Sequence, residues 1–240
     1  MPFCKSKIAG IVCLFVASAI SVAYSAQQEA TTVEAQAVVN HVHGKSLHSG
    51  NEDVVVWLTP LGKNVHPPPA RARHYQMMQK NKQFHPHVLA VPLGAPVEFP
   101  NLDPWFHNVF SLYKGEKFDL GLYEAGSSRT VRFDRPGVSF LFCNIHPEMS
   151  AYVLVLPTPY FAVSNEEGQI RIPDVPAGRY RVEVWFERAE SVDVAKLSRE
   201  ITVTDAKTSL GTLQIQESPL TIPAHTDKHG QPYPSDRNPY

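Results

Sequence analysis

The sequence predicts an all-β chain: a sandwich of antiparallel sheets followed by a second, smaller β-sandwich. Three observations carry this expectation. Short segments rich in Val, Ile, Phe, Tyr and Trp recur along the chain, Gly, Pro, Asn and Asp separate them at short intervals, and the single long apolar run lies at the extreme N-terminus.

Taken in order, residues 33–42 form an apolar-rich first segment, and residues 53–58 a β-branched run containing Trp57. Residues 88–99 read as two short strands broken at Pro92-Leu93-Gly94. Residues 107–112, 128–133, 138–143 and 151–156 are further candidates; in the second of these regions Val131 and Phe133 alternate with Thr130, Arg132 and Asp134. Residues 64–87, with Pro67-Pro68-Pro69 and a basic run over 71–82, are expected to be an inserted loop with one or two helical turns around 75–80. After Pro157-Thr158-Pro159 come five more strand-like stretches, at 160–163, 169–172, 179–186, 198–203 and 209–214. Gly168, Pro176-Ala177-Gly178 and Asp205-Ala206-Lys207 supply their turns. The expected organisation is a removable leader over 1–26, a first unit over 27–157, a separately folding second unit over 158–217 and a flexible tail over 218–240.

The leader is read from Lys5 and Lys7, the apolar stretch 8–23 and the small residues of Ala23-Tyr24-Ser25-Ala26. It predicts export, to the periplasm, with no membrane span in the mature chain. Removal of 1–26 leaves 20 Lys+Arg against 23 Asp+Glu, a formal net charge of about −3. Such a balance gives nucleic acid no electrostatic footprint to bind.

Cleavage also removes Cys4 and Cys13, so Cys143 stands alone. A lone Cys in an exported protein is buried and inert, pairs with another chain, or is held as thiolate by a metal. Its neighbours favour the metal. Cys143, His146 and Met149 follow one another as CxxHxxM, combining a thiolate, an imidazole and a thioether. With one more His this is the donor set of a mononuclear electron-transfer copper site. His107, within the apolar run Phe106-His107-Asn108-Val109-Phe110, is the candidate. Zinc accepts Cys and His but rarely Met, so the thioether favours copper.

The pairing of Phe106-His107-Asn108-Val109 with Cys143-Asn144-Ile145-His146-Pro147-Glu148-Met149 resembles the cupredoxins, and the short CxxHxxM loop is most similar to that of amicyanin. The resemblance implies a Greek-key β-sandwich over about residues 30–157 and one type 1 copper. It makes His107, Cys143 and His146 the equatorial ligands and Met149 the axial one, with the Asn108 side chain helping to fix the ligand loop. It implies a loop His reaching the surface through an apolar rim, here Pro147 and residues 102–105, and an apolar shell of Phe106, Phe110, Phe142 and Ile145. It further implies a redox protein partner and no catalysis by this chain. The long 64–87 segment departs from the family pattern. Residues 168–182 resemble the carboxypeptidase regulatory-like domain, an accessory sandwich of transthyretin type.

The alternative function is a copper-binding chaperone, sensor or assembly module without an electron-carrier role. A copper oxidase or nitrite reductase would need further His pairs and usually a His beside the thiolate, but Cys143 is flanked by Phe142 and Asn144. His41, His43, His85 and His87 are read first as solvated histidines and second as an additional metal patch, and Met77-Met78 as packing.

Overall fold

A computed structural model describes residues 30–41, 50–62, 73–112, 115–204, 207–218 and 226–233. The expected leader, His43 and Pro67-Pro68-Pro69 lie outside these residues. Strands run in the order β1 (Ala30–Asn40), β2 (Val55–Pro60), β3 (Tyr75–Gln76), β4 (Met78–Lys80), β5 (Gln83–His85), β6 (Val88–Pro92), β7 (Ala95–Pro100), β8 (His107–Ser111) and β9 (Phe118–Tyr123). They continue as β10 (Ser128–Phe133), β11 (Gly137–Cys143), β12 (Ser150–Leu156), β13 (Phe161–Val163), β14 (Gln169–Pro176) and β15 (Gly178–Trp185). One short helix, α1 (Ser191–Ala195), precedes β16 (Arg199–Val203) and β17 (Thr208–Gln216). The chain is all-β, as expected.

Two sandwiches result. In the first, the sheet β10-β7-β3 faces the five-stranded sheet β6-β12-β11-β8-β9. Val97, Phe99 and Phe133 from one side meet Val109, Leu141, Cys143, Val153 and Val155 from the other. In the second, β14-β1-β17 faces β13-β2-β15-β16 around Val33, Ala37, Val56, Leu58, Ile170, Tyr180 and Leu213. Each fully buried side chain of this size contributes about 1.5–3 kcal/mol relative to exposure.

The strand β12 shows how the sandwiches meet. Its run Ser150-Ala-Tyr-Val-Leu-Val-Leu is buried on both faces, so it lacks polar alternation. Ala151, Val153 and Val155 face the first core. Tyr152, Leu154 and Leu156 turn the other way and pack with Val88 and Ala90 against Val55 and Phe161 of the second sandwich.

The pairing corrects the expected division at residue 157. β1 pairs with β14 and β17, and β2 with β13 and β15, so both N-terminal strands complete the second sandwich. The first sandwich sits between β2 and β13 in the chain. Local pattern identified β1 and β2, but the alternation Val33, Ala35, Ala37, Val39 fixes only which face is buried and not which partner covers it. Most ladders are antiparallel, as expected, whereas β1–β17, β3–β7 and β6–β12 are parallel. The loop and helical turns expected around 75–80 are instead the short strands β3 and β4, because Met77 and Phe84 insert into the first core and Tyr75-Gln76 pairs with Val97-Glu98.

The tail expected to be flexible is anchored over 226–233, where Lys228 and Tyr233 bond to residues 119, 143 and 144. Among the described residues no helix is long and apolar enough to cross a membrane.

Candidate metal centre

Two neighbouring strands of the five-stranded sheet carry the first pair of candidate ligands. In the β8–β11 ladder Cys143 lies opposite Val109, and His107 is two residues before Val109. Strand alternation therefore points Cys143, Val109 and His107 to one face, into the core. The turn after β11 adds the third group. Cys143 N–H donates to Met149 O at 3.2 Å and Met149 N–H to His146 O at 3.0 Å, which closes the loop on itself. Asn144 N–H donates to Asn108 O at 3.3 Å and ties the loop to β8.

His107, Cys143 and His146 converge, with their donor atoms all within 4.8 Å of one another. Nδ1 of His107 and Nδ1 of His146 each lie 3.7 Å from Cys143 Sγ. The two imidazole rings are 4.9 Å apart at 59°. With metal–sulfur and metal–nitrogen bonds of about 2.3 and 2.0–2.1 Å, an ion in a trigonal or tetrahedral site spans a sulfur–nitrogen separation of roughly 3.5–3.8 Å. The residues present fit a metal ion. Among the described residues no other group of His, Cys, Asp and Glu converges in this way.

Met149 is fully buried in the same core cluster as Cys143, and its backbone bonds bring it alongside the two loop donors. All four sequence-predicted residues thus lie in one region, at the end of the first core.

The electrostatics suit neutral imidazoles and a thiolate held by a cation. Burial lowers the His146 pKa to about 4, helped by the neighbouring His107 and Lys82. Burial also lowers that of His107, against the opposing pull of Asp103. Both rings therefore offer lone pairs at neutral pH. Burial pushes the Cys143 thiol up, while the backbone N–H groups of Asn108, Ile145 and His146 favour its anion. A bound cation deprotonates such a thiol outright.

Sequence reasoning missed the support of His107. Its Nε2 lies 2.9 Å from Asp103 Oδ2. A carboxylate accepts only, so Nε2 carries the proton and Nδ1 is left free for a metal. Asp103 is itself gripped by the N–H groups of Asn81 and Lys82, at 2.6 and 2.8 Å. Those residues form the two-residue turn between β4 and β5, with φ of 56° and 55° that aims both N–H groups the same way. Burial pushes the Asp103 carboxyl up, but Lys82, His107 and Asn81 outweigh it and hold it below its ordinary range. The only sequence signal was an Asp four residues before the His, inside what read as a plain turn. Asn101 shapes that turn, accepting from Asp103 N–H at 3.0 Å and donating to Trp105 O at 2.7 Å.

Three expected details differ. The Asn108 side chain donates to Asp119 at 2.6 Å, and it is the Asn108 carbonyl that holds the ligand loop. Phe110 and Phe142 pack on each other with ring centres 5.9 Å apart and planes tilted by 39°, and alternate away from Cys143, while Phe106 is 45% exposed, so Ile145 alone of the expected shell packs on the Cys143 core. His146 is only 6% exposed, and its Nε2 has no protein partner among the described residues. Of the expected rim, Leu102, Pro104 and Pro147 are exposed. The histidines read as solvated include two in ion pairs: His41 with Glu217 at 3.1 Å and His87 with Glu187 at 2.7 Å.

No family model and no curated protein matches the chain. Among solved structures it is similar to the copper-containing nitrite reductase of Thermus scotoductus, with 24% identity and a TM-score of 0.34 over 38% of this chain and 25% of that one. It thus spans a quarter of that enzyme's length. It is also similar to a purple cupredoxin from Nitrosopumilus maritimus, with 23% identity and a TM-score of 0.32 over 34% of this chain and 99% of that one. A reduced Cu(I) form of an amicyanin variant matches at 16% identity with a TM-score of 0.33, over 42% and 98% of the two chains.

Proposed function

We propose that this is an exported type 1 copper protein of cupredoxin type that carries single electrons between redox protein partners. His107, Cys143 and His146 would hold one copper, with the Met149 thioether as a further, weaker donor. The observation that carries this reading is the buried convergence of two Nδ1 atoms at 3.7 Å from one Sγ. When bound, copper supplies a one-electron couple between its +1 and +2 states.

The chain's own residues do the rest. The ends of β8 and β11 carry His107 and Cys143 within a hydrogen-bonded sheet, which would hold these donors in place around a bound copper. Asp103 keeps the His107 tautomer. Val109, Leu141 and Met149 exclude water from the thiolate. Phe142 and Asn144 beside Cys143 offer no imidazole through which a second copper could be wired, which favours a carrier over an enzyme.

One observation favours a second reading, a copper-holding module without electron exchange. The near-complete burial of His146 withholds the short surface path that a carrier's loop His would give. Voltammetry and self-exchange measurements on the copper-loaded chain distinguish the two. A reversible one-electron couple with fast self-exchange supports the carrier; tightly held, redox-silent copper supports the holding module.

A further inference from the structure

The C-terminal segment reaches the candidate metal centre from the far end of the chain. Asp227-Lys228-His229-Gly230-Gln231 is a self-contained turn: Asp227 Oδ1 accepts from the N–H groups of His229 and Gln231 at 2.9 and 2.8 Å. Asp227 N–H donates to Gln231 O at 2.8 Å, and Gly230 provides the left-handed φ of 78° that closes the turn. The turn presents Lys228. Its N–H donates to Asn144 Oδ1 at 2.9 Å, and its Nζ donates to Asp119 Oδ2 at 2.8 Å. The other oxygen of Asp119 accepts from the Asn108 side chain at 2.6 Å. Lys228 therefore ties together the residues that follow Cys143 and His107. Five residues further on, Tyr233 donates its hydroxyl to Cys143 O at 3.0 Å.

We infer that residues 227–233 are a latch on the ligand loop, with Lys228 and Tyr233 as positioning residues that hold Cys143 and Asn144 in the ligand-binding geometry. The inference rests on the reading of His107, Cys143 and His146 as the metal site. The physical reason is that this loop is closed by turn-type backbone bonds, Cys143 to Met149 and Met149 to His146, and not by a strand ladder, and a loop of that kind opens locally far more often than a core strand. The latch contacts add bonds from outside the loop, on a residue that supplies the thiolate. They also give the C-terminal segment a share in the centre, although it supplies no ligand.

The test needs no metal. In the metal-free full-length chain, alkylation of Cys143 by iodoacetamide is followed by peptide mass spectrometry, which separates it from Cys4 and Cys13. Cys143 is fully buried, so its rate reads how often the ligand loop opens. Lys228→Met combined with Tyr233→Phe, and separately a chain ending at residue 225, are expected to speed alkylation at least tenfold, the scale of two ordinary hydrogen bonds. Both are expected to lose Cu(II) to a chelator faster by a similar factor. Arg179→Met, which cuts the exposed ion pair with Glu200 in the second sandwich, is expected to leave the rate unchanged. Rates within twofold of the parent in both latch variants, with native circular dichroism, would overturn the latch. So would an equal acceleration in Arg179→Met. Failure of the parent to bind copper would sink the metal reading, and the alkylation result would still decide the latch.

Discussion

Asp103 Oδ2 and His107 Nε2 stand 2.9 Å apart, both buried, in a chain of contacts that runs from the Asn81-Lys82 turn to the candidate thiolate. The relationship assigns a task to the segment that departs from the cupredoxin pattern. The β4–β5 hairpin, within the expected insertion, places two N–H groups on the carboxylate that orients a ligand.

The first prediction concerns that carboxylate. Asp103→Asn keeps the volume but cannot accept simultaneously from Asn81, Lys82 and His107. Partners that orient a ligating His typically contribute 10–100-fold to metal affinity. Competition titration with a Cu(II) chelator is expected to show a loss of about that size. Unchanged affinity would mean that His107 is positioned by the strand alone.

Met149 is expected to tune the centre without being needed to assemble it. Met149→Leu conserves volume in a fully buried position and should cost less than about 1.5 kcal/mol of stability. Because an axial thioether binds weakly, the variant should retain copper and show a raised potential by voltammetry. Complete loss of copper would show that the ligand roles are assigned wrongly.

Much of the candidate site was legible because its three loop donors sit within seven residues and His107 lies in an apolar run where a lone His is conspicuous. The strands after residue 160 were legible from period and turn residues. What was not legible depended on distant pairing. Nothing in Val33–Val39 announces that β14 and β17 are its neighbours, since a buried face is compatible with any apolar partner. Asp103 and Lys228 were hidden for a related reason: polar residues in turn-like sequence look solvated until the fold shows what they touch.

That pairing makes a prediction opposite to the one that chain order suggests. In a chain ending at Pro157, β1 loses β14 and β17 and β2 loses β13 and β15. Residues 30–60 should then be cut rapidly by protease, and Val55, Ala90 and Leu154 should be exposed to solvent. Limited proteolysis checks this. Protection of 30–60 equal to that in the full chain would contradict the pairing.

The ion pair between His87 and Glu187 gives a pH dependence. Burial lowers the His87 pKa, but Glu187, with Asp53 and the Ser150 backbone, outweighs it, so the folded value is raised above the ordinary 6.5. The charged form is favoured in the folded state. This contribution is therefore fully present below about pH 6.5 and is lost as pH rises through the raised folded value. Tyr152 packs edge-on to the His87 ring and Arg188 lies 3.6 Å from Glu187, so both belong to the same environment. The difference in denaturation midpoint between the parent and His87→Gln is expected to be largest at pH 6 and to shrink above it. A difference that grows with pH would reverse the assignment.

The central claim is tested most directly by titrating the metal-free protein with Cu(II) and following its visible absorption. The account predicts an intense thiolate-to-copper band that saturates at one equivalent per chain and disappears in Cys143→Ser. A colourless product, or a colour that survives the loss of Cys143, would contradict it.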